Sequence, residues 1–198
     1  MNKRMTDMFA RTERLLLRPG WSEDAPALAL AINDEAIVRN LARVPWPYDL
    51  DHARDFLTRE KPAGEIDLLI FRRTSRAPQL IGGVGLSRMP DGDRELGYWI
   101  ARRHWGLGYA TEAASAATAL ACSLGVRRLE ASPFVDNPAS GRVLAKLGFK
   151  PTGDVVHRYS AGRGASVASR RFELRMAKCG PRSNGAAEAD SPPQMIAA

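Results

Sequence analysis

Two glycines one residue apart, Gly106 and Gly108, most constrain what this chain can fold into. They separate a run typical of a β-strand, residues 95–101, from an alanine-rich run typical of a helix, which begins at Tyr109. Glycine is entropically costly to order, so it marks a tight turn or a close backbone approach. A loop that enters a helix also presents free N–H groups and the positive helix end, which bind anions without side chains. The stretch therefore predicts a strand–loop–helix unit with an anion site at the loop.

Two familiar phosphate-binding patterns fit this stretch poorly. The P-loop pattern Gly-x-x-x-x-Gly-Lys-Ser/Thr does not occur in the sequence. Gly106 and Gly108 match the first two glycines of a dinucleotide-binding fingerprint. Glu130 follows Gly108 by 22 residues, where the fingerprint expects an acidic residue that binds the ribose. However, its third position is Thr111, and only one strand–helix–strand crossover is present. A pyrophosphate cradle of another kind is the favoured interpretation.

Hydrophobic periodicity predicts a single α+β domain with a mixed sheet. Three consecutive strands are followed by a strand–helix–strand crossover, which distinguishes this order from a fully doubly wound fold. Strands are predicted over residues 14–20, 65–74, 79–89, 95–101, 127–135 and within 167–177, and helices over about 22–34, 51–59, 109–124 and 138–147.

Length and composition set the domain limits. The 198 residues, 44% of them hydrophobic, predict one domain over residues 12–178. An N-terminal tail over residues 1–11 and a disordered C-terminal tail over residues 179–198 flank it. No run approaches the ~18 apolar residues of a membrane span, and the start lacks the apolar segment of a secretion signal. Two cysteines without Cys-x-x-Cys spacing complete the expectation of a cytoplasmic protein with reduced thiols and no membrane partner.

The net charge of +7 is concentrated after the glycine loop. Residues 101–179 carry 13 Lys/Arg against 5 Asp/Glu. Such a basic half indicates nucleic acid, a membrane surface or a phosphate-rich cofactor as partner, or is simply a solvated face. Aromatic residues make up only 7% of the chain and no base-reading motif occurs, which disfavours nucleic acid. The three histidines show no metal-ligand spacing, so no metal is expected.

The segment RHWGLG, residues 103–108, resembles the Arg/Gln-x-x-Gly-x-Gly/Ala signature of the GCN5-related N-acetyltransferases, the GNAT superfamily. Four further segments, TERLLLRP, VPWPYDLDHARDFL, GYWIARRHWGLGYATEA and NPASGRVLAKLGFKPTG, resemble in order the subgroup with ribosomal-protein alanine N-acetyltransferases. The resemblance spans residues 12–177. It implies a mostly antiparallel central sheet, splayed between the strands at 94–101 and 127–135, with helices on both faces. It also implies acetyl-CoA as cosubstrate, with the pantetheine arm in the splay.

The resemblance implies a cofactor-binding set around the glycine loop. Its members are Ile100, Ala101, Arg103, His104, Trp105, Gly106, Leu107, Gly108, Tyr109, Ala110 and Asn137. The amides of residues 104–109 are expected to contact the pyrophosphate, and a backbone N–H near Ile100 or Ala101 to hold the thioester oxygen. Arg103 either serves a phosphate or is an ordinary surface cation. Asn137 is a preferred N-cap type before a first-turn proline, and the resemblance adds a contact with the cofactor arm.

Direct transfer to an amine requires a base for the amine and an acid for the leaving thiolate. The period of two along the strand separates one face with Glu95, Gly97 and Trp99 from the other with Leu96, Tyr98 and Ile100. Glu95 is expected to take the amine proton, directly or through water, or else to be a solvated charge. Many relatives use a tyrosine as the acid, but none occurs between Tyr109 and Tyr159. Ser140 or water is therefore expected to protonate the thiolate.

The predicted function is transfer of acetyl from acetyl-CoA to a primary amine by direct attack in a ternary complex. Trp46 and Tyr48 lie in a segment that, by the resemblance, borders the acceptor channel, so they contact substrate or pack in the core. The acceptor is a protein N-terminus or a small amine. A non-catalytic acyl-CoA-binding module and, less favoured, a nucleic-acid-binding protein are the alternatives. A monomer and a homodimer are both compatible with the sequence.

Overall fold

A computed structural model of the chain describes residues 9–62, 64–89 and 92–176. One eight-stranded sheet runs through them in the order β1-β2-β3-β4-β5-β6-β8-β7. Its strands are β1 (Ala10–Arg11), β2 (Leu15–Arg18), β3 (Ile66–Arg72), β4 (Gln79–Arg88), β5 (Arg94–Ile100), β6 (Arg128–Ala131), β7 (Lys150–Ser160) and β8 (Ala165–Arg175). The helices are α1 (Ala25–Ile32), α2 (Glu35–Val38), α3 (Leu50–Thr58), α4 (Tyr109–Ser123) and α5 (Pro138–Lys146), with short 3-10 turns at Ser22–Asp24 and Arg102–His104.

The sheet is antiparallel at every junction except that between β5 and β6. These two strands pair in parallel, and only at Arg94 with Leu129 and at Glu95 with Glu130. Beyond Glu95 the described parts of the two strands share no further pairs, so a gap opens beside the second half of β5. The predicted sheet, mostly antiparallel and splayed at this junction, is confirmed.

Two hydrophobic cores cover the two faces of the sheet. On one face, Leu96 and Ile100 of β5 pack with the alanines of α4 and with Leu144 of α5. On the other face, Leu69 and Phe71 of β3 pack with α1, α2 and α3. The expectation of helices on both faces is therefore confirmed, and residues of β5 alternate between the two cores as the period of two requires.

The structure contains three elements that the sequence pattern did not predict. The long strand β7 lies at the edge of the sheet and is exposed along most of its length. Because neither of its faces is consistently buried, it shows no hydrophobic alternation, and Pro151 and Gly153 further weaken the strand signal. The two-residue strand β1 places Ala10 and Arg11 in the sheet, within the segment predicted as a tail. The four-residue helix α2 is too short to show a helical period.

The β7–β8 hairpin bridges from the sheet to the loop that follows α2. The Ser160 hydroxyl donates to the carbonyl of Leu41 at 3.1 Å, and the Ala161 N–H donates to the carbonyl of Ala42 at 2.8 Å. At the hairpin tip, Arg163 forms a two-pronged ion pair with Asp136, at 2.8 and 2.9 Å. The hairpin therefore forms a wall above the face of the sheet that carries α1 and α3.

Two further expectations concern the cysteine thiols and the C-terminal tail. Cys122 of α4 is disulfide-bonded, so the expectation of reduced thiols is wrong for this residue. The predicted C-terminal tail lies outside the described residues. Within the described ranges, no helix is long and apolar enough to span a membrane.

Candidate active site

The loop between β5 and α4 has a backbone that only glycine adopts readily. Gly106 has φ of 76° and Gly108, the N-cap of α4, has φ of 81°, both in the left-handed region. A Cβ atom added at Gly106 would meet no atom of the protein within 4 Å, because this residue faces an open cleft. The two glycines thus leave the loop backbone accessible from the cleft.

The amides of this loop are unused by the protein. In the part of the chain that the structure describes, no backbone N–H from Gly106 to Thr111 donates to a protein acceptor. The N-cap Gly108 has no side chain to satisfy them. Since these donors lie at the positive end of α4, they are able to bind an anion such as a pyrophosphate.

A cluster from the start of the chain holds the loop from behind. Glu112, in the first turn of α4, accepts hydrogen bonds from Thr12 and from the backbone and side chain of Arg14. Burial alone would raise the pKa of Glu112, but these hydrogen bonds outweigh burial and lower it. Arg14 also donates to the carbonyl of Leu107 at 3.0 Å and lies 4.5 Å above the ring of Tyr109. These contacts fix the loop to β2.

His104 supports the loop from the core side. It is buried, and its Nε2 accepts a hydrogen bond from the Nε–H of Arg103 at 3.2 Å. Burial lowers the pKa of His104, and the charges of Arg103 and Arg72 lower it further. The neutral imidazole packs edge-on against Tyr109, with ring centroids 6.0 Å apart. His104 is thus a packing residue with its ring nitrogen engaged.

A cleft of about 380 Å³ extends from the loop along β5 to α5. Most of the predicted cofactor-binding residues line it: Ile100, His104, Trp105, Gly106, Gly108, Tyr109, Ala110 and Asn137. Arg142 and Lys146 of α5 add positive charge on its other side. Three predicted members, Ala101, Arg103 and Leu107, do not line the cleft, so their side chains are placed elsewhere.

The hydrogen bonds of β5 determine which amides face this cleft. The Ala101 N–H donates to Ile81 of β4 at 2.7 Å, so it is not available to a thioester oxygen. Antiparallel pairing alternates along a strand, so Tyr98 and Ile100 direct their N–H groups away from β4, into the gap beside β6. The Ile100 carbonyl accepts the indole N–H of Trp105 at 2.6 Å. Of the two amides considered from the sequence, only that of Ile100 faces the cleft, and Tyr98 adds another.

The hydroxyl groups of Tyr98 and Ser140 are hydrogen-bonded at 2.8 Å. Ser140 is held in the first turn of α5, where its N–H donates to the side chain of the N-cap Asn137 at 3.2 Å. Tyr98 also donates to the carbonyl of Ser140 at 3.1 Å. Burial raises the pKa of Tyr98 to about 12, despite the opposing effect of the Ser140 hydrogen bond. The phenol therefore remains protonated at neutral pH.

A second cavity, of about 470 Å³, lies between the sheet, α1, α3 and the β7–β8 hairpin. We name it the acceptor cavity. Its lining combines apolar side chains, among them Leu28, Ile32, Tyr48, Phe56 and Trp99, with the charged side chains of Arg43, Asp55, Arg59, Asp67, Glu95 and Arg158. The acceptor cavity and the cleft share Asn40, Leu41, Tyr98, Trp99, Pro133 and Ser140. The two cavities thus meet at the Tyr98–Ser140 pair.

Comparison with known proteins identifies the family of this chain. A family model described as an acetyltransferase (GNAT) domain matches residues 14–150. The protein named uncharacterized N-acetyltransferase YoaA, from Bacillus subtilis, is 32% identical over 171 residues, which cover 82% of this chain and 94% of that protein. The chain belongs to the GNAT family. It is an acetyltransferase of the GNAT type, as its sequence predicts.

Solved structures of GNAT proteins share its fold. The ribosomal-protein-S5-alanine acetyltransferase of Vibrio fischeri matches with a TM-score of 0.72 at 19% identity, covering 88% of this chain and 100% of that one. The spermidine N-acetyltransferase of Vibrio cholerae, solved with CoA and spermine, matches with a TM-score of 0.70 at 20% identity. That match covers 84% of this chain and 98% of the other.

In this GNAT enzyme Glu95 lies in the acceptor cavity but is already engaged. The guanidinium of Arg158 on β7 donates a hydrogen bond to each carboxylate oxygen of Glu95, and the distance to Oε2 is 3.0 Å. Ser87 is paired with Glu95 across β4 and β5, and its hydroxyl accepts a hydrogen bond from Arg43 at 2.6 Å. Neither arginine was a candidate from the sequence, because Arg158 lies 63 residues from Glu95 and no local spacing connects them.

The two predicted acceptor-channel residues of the GNAT enzyme differ in position. Tyr48 lines the acceptor cavity, where its hydroxyl donates to the carbonyl of His52 at 3.1 Å. Trp46 is 40% exposed and is absent from the cavity lining, so its contact with substrate stays a prediction. Its neighbours Val44 and Pro45 face the cavity instead. Within the described ranges, no cluster of His, Cys, Asp and Glu could hold a metal ion.

Proposed function

We propose that this GNAT enzyme transfers the acetyl group of acetyl-CoA to a primary amine by direct attack in a ternary complex. The observation that carries the proposal is the junction of the two cavities at Tyr98 and Ser140. One cavity leads to a loop of unused amides, and the other leads away from it between α1, α3 and the hairpin. Two ligands could therefore approach a common point from opposite sides.

The loop fits the pyrophosphate of acetyl-CoA. Its amides from Gly106 to Thr111 would donate to the phosphate oxygens, with Arg142 and Lys146 close enough in the same cleft to balance further negative charge. Acetyl-CoA, when bound, supplies an acetyl group activated as a thioester. Bound along the gap beside β5, it would pass Ile100 and Tyr98, whose N–H groups face that gap.

One of these amides would bind the thioester oxygen as negative charge develops on it. We assign this role to the backbone N–H of Tyr98, because Tyr98 lies with Ser140 at the junction of the two cavities. Ile100 lies further toward the glycine loop, so its N–H would bind the cofactor arm. A fixed amide donor in a cleft of this kind stabilises developing charge without reorganisation.

Ser140 would give its proton to the thiolate that leaves. Its hydroxyl lies at the junction of the cavities, on the helix capped by Asn137. The phenol of Tyr98 has one hydrogen, which lies within reach of both the carbonyl and the hydroxyl of Ser140. A turn of this hydrogen from the carbonyl to the hydroxyl would let Tyr98 donate to Ser140 in turn, since burial keeps the pKa of Tyr98 near 12 and the phenol protonated. The pair thus supplies a hydrogen-bonded path for one proton.

Glu95 would accept the proton that the attacking amine loses. It lies three residues before Tyr98, roughly 10 Å along the strand, which requires the proton to pass through water. Its ion pair with Arg158 orients the carboxylate in the acceptor cavity and also competes for its lone pairs. The test of Glu95 is therefore the turnover of the Glu95→Gln variant rather than the position of the carboxylate.

The proposal is tested by an acceptor screen with acetyl-CoA. Release of free thiol is followed for peptides with free N-termini and for small amines, with calorimetry of CoA binding alongside. Thiol release that depends on one amine, with the acetylated amine found by mass spectrometry, supports N-acetyl transfer. Tight acetyl-CoA binding without transfer to any amine would instead establish a binding module without catalysis.

A further inference from the structure

We infer that the acceptor carries a carboxylate about three residues from its reacting amine, and that Arg43 binds this carboxylate. The inference rests on the proposed function and names the class of acceptor for the same site. It follows from the charges of the acceptor cavity: among the described residues, every arginine of its lining except Arg43 is paired with a carboxylate.

Arg43 is the arginine of the cavity lining that has no carboxylate partner. Its guanidinium has five N–H donors, and within the described chain one of them is used, by the hydroxyl of Ser87. Arg59 is paired with Asp67 at 2.9 Å, and Arg158 is paired with Glu95. The remaining donors of Arg43 are therefore available to a ligand.

The surroundings make this end of the cavity an anion site. Ser87 and Glu95 are cross-strand neighbours on one face of the sheet, so Arg43 and Arg158 approach the same pair from two elements. Two guanidinium groups face one carboxylate there, which leaves a net charge of +1. A carboxylate can receive two parallel N–H bonds from a guanidinium, and its negative charge makes these bonds stronger than those to a neutral acceptor.

The backbone that carries Arg43 is held firmly. The two preceding residues, Leu41 and Ala42, each accept a hydrogen bond from the β7–β8 hairpin. One of the donors, Ser160, is completely buried. Arg43 therefore projects from an anchored segment rather than from a free loop, which reduces the entropy lost when it binds a ligand.

The distance along the sheet sets the length of the acceptor. Ser87 lies opposite Glu95, three residues from Tyr98, so about 10 Å separate the two ends along the strand. An extended peptide covers roughly 3.3–3.6 Å per residue. A peptide with its N-terminal amine at the junction thus brings its third residue to Arg43. The carboxylate would be that of an acidic third residue or of the C-terminus of a tripeptide.

A cationic acceptor is the competing possibility, and Asp55 would be its partner. Asp55 lines the cavity and has no ion pair within the described chain. It lies four residues before Arg59, but Arg59 is itself paired with Asp67, so Asp55 and Arg43 are the two charges of the lining that have no ion pair within the described chain. Arg43 is the better placed of the two, because it contacts Ser87, and the residue opposite Ser87 is Glu95 on the strand that leads to Tyr98 at the junction. The position of Arg43 therefore favours an anionic acceptor.

The experiment compares matched acceptors at low ionic strength. The amidated peptides Ala-Ala-Asp-Ala and Ala-Ala-Asn-Ala differ only in the charge of the third residue, and the tripeptide Ala-Ala-Ala is tested as acid and as amide. Spermidine is included as the cationic acceptor. We expect kcat/KM to be about tenfold higher for the Asp peptide than for the Asn peptide, as one charge-assisted hydrogen bond predicts. The preference should shrink as salt is added, because Arg43 is exposed at the rim.

Two variants assign the effect. Arg43→Gln should bring the Asp/Asn ratio close to one, whereas Arg76→Gln, at an exposed arginine outside both cavity linings, should leave the ratio as in the wild type. A preference for the free tripeptide acid over its amide, without an Asp preference, would assign the site to a C-terminal carboxylate and also supports the inference.

The outcomes separate this inference from the proposed function. Equal turnover of all peptides, or a preference for spermidine, overturns the carboxylate while N-acetyl transfer stands. A preference that survives in Arg43→Gln overturns the role of Arg43. If no peptide and no amine is acetylated although acetyl-CoA binds, the proposed function itself fails.

Discussion

Replacing Gly106 by Ala should weaken acetyl-CoA binding, and Gly125 provides a matched control for the cost of the backbone. Both glycines have positive φ, 76° and 81°, and an added Cβ at either would meet no atom within 4 Å. Gly106 opens the loop before α4, whereas Gly125 follows the C-terminus of the same helix. In the protein alone the two substitutions are therefore equivalent: each places Ala in the left-handed region at a cost of about 1–2 kcal/mol.

The two variants should differ only toward the cofactor. For a chain of this length, 1 kcal/mol lowers the melting temperature by about 2–4 °C, so both variants should melt a few degrees below the wild type. At Gly106 the new methyl group enters the cleft where a phosphate oxygen must come within about 2.9 Å of an amide nitrogen. Loss of one such charge-assisted hydrogen bond costs about 1.5–3 kcal/mol. We expect the Kd for acetyl-CoA to rise at least about tenfold in Gly106→Ala.

Isothermal calorimetry on the two variants, with melting curves at matched protein concentration, provides the measurement. Gly125→Ala should bind acetyl-CoA as the wild type does. If Gly106→Ala is folded and its Kd equals that of Gly125→Ala, the loop is not the pyrophosphate site and the positive-φ glycine is only a turn residue.

Three further predictions concern catalysis and pH. Ser140→Ala should lower kcat about 10²-fold with little change in acetyl-CoA affinity; unchanged turnover in a thiol-release assay would remove its hydroxyl from the mechanism. Glu95→Gln should lower turnover by about 10²–10⁴-fold, and activity close to wild type at every pH would assign the base to ordered water. Because burial lowers the pKa of His104 below its usual 6.5, the unfolded state binds the extra proton more readily. The contribution of His104 to stability should be complete above about pH 6.5 and decline as the pH falls below that value. Melting curves of His104→Gln should show a shallower decline, and an equal decline would contradict burial of His104 as the cause.

The glycine loop and its helix were predictable because their determinants are local. Gly108 begins α4 and Gly125 follows it, and both positions need a backbone that other residues avoid. The same holds for α5, where Asn137 caps and Pro138 begins the helix. Such signals lie within a few residues of the structure that they specify.

The composition of the acceptor cavity was not predictable because its pairs are distant in the chain. Tyr98 meets Ser140 across 42 residues, and Glu95 meets Arg158 across 63. The tyrosine was assigned correctly to the face opposite Glu95, but only the splay of the sheet brings its hydroxyl to the start of α5. The strand that carries Arg158 has no buried face to give it a pattern.

The order of the strands has a consequence for synthesis of the protein on the ribosome. From β1 to β6 each strand pairs with the next in the chain, so this part of the sheet can assemble as the residues emerge. The cofactor loop and its supports, Arg14 and Glu112, belong to this early part. The wall of the acceptor cavity comes last, because β7 and β8 are the final strands and supply Arg158 and Ser160. If the proposed function holds, a nascent chain can thus assemble the loop for acetyl-CoA before it encloses a cavity for the amine, and it would select its acceptor only once the final hairpin has folded.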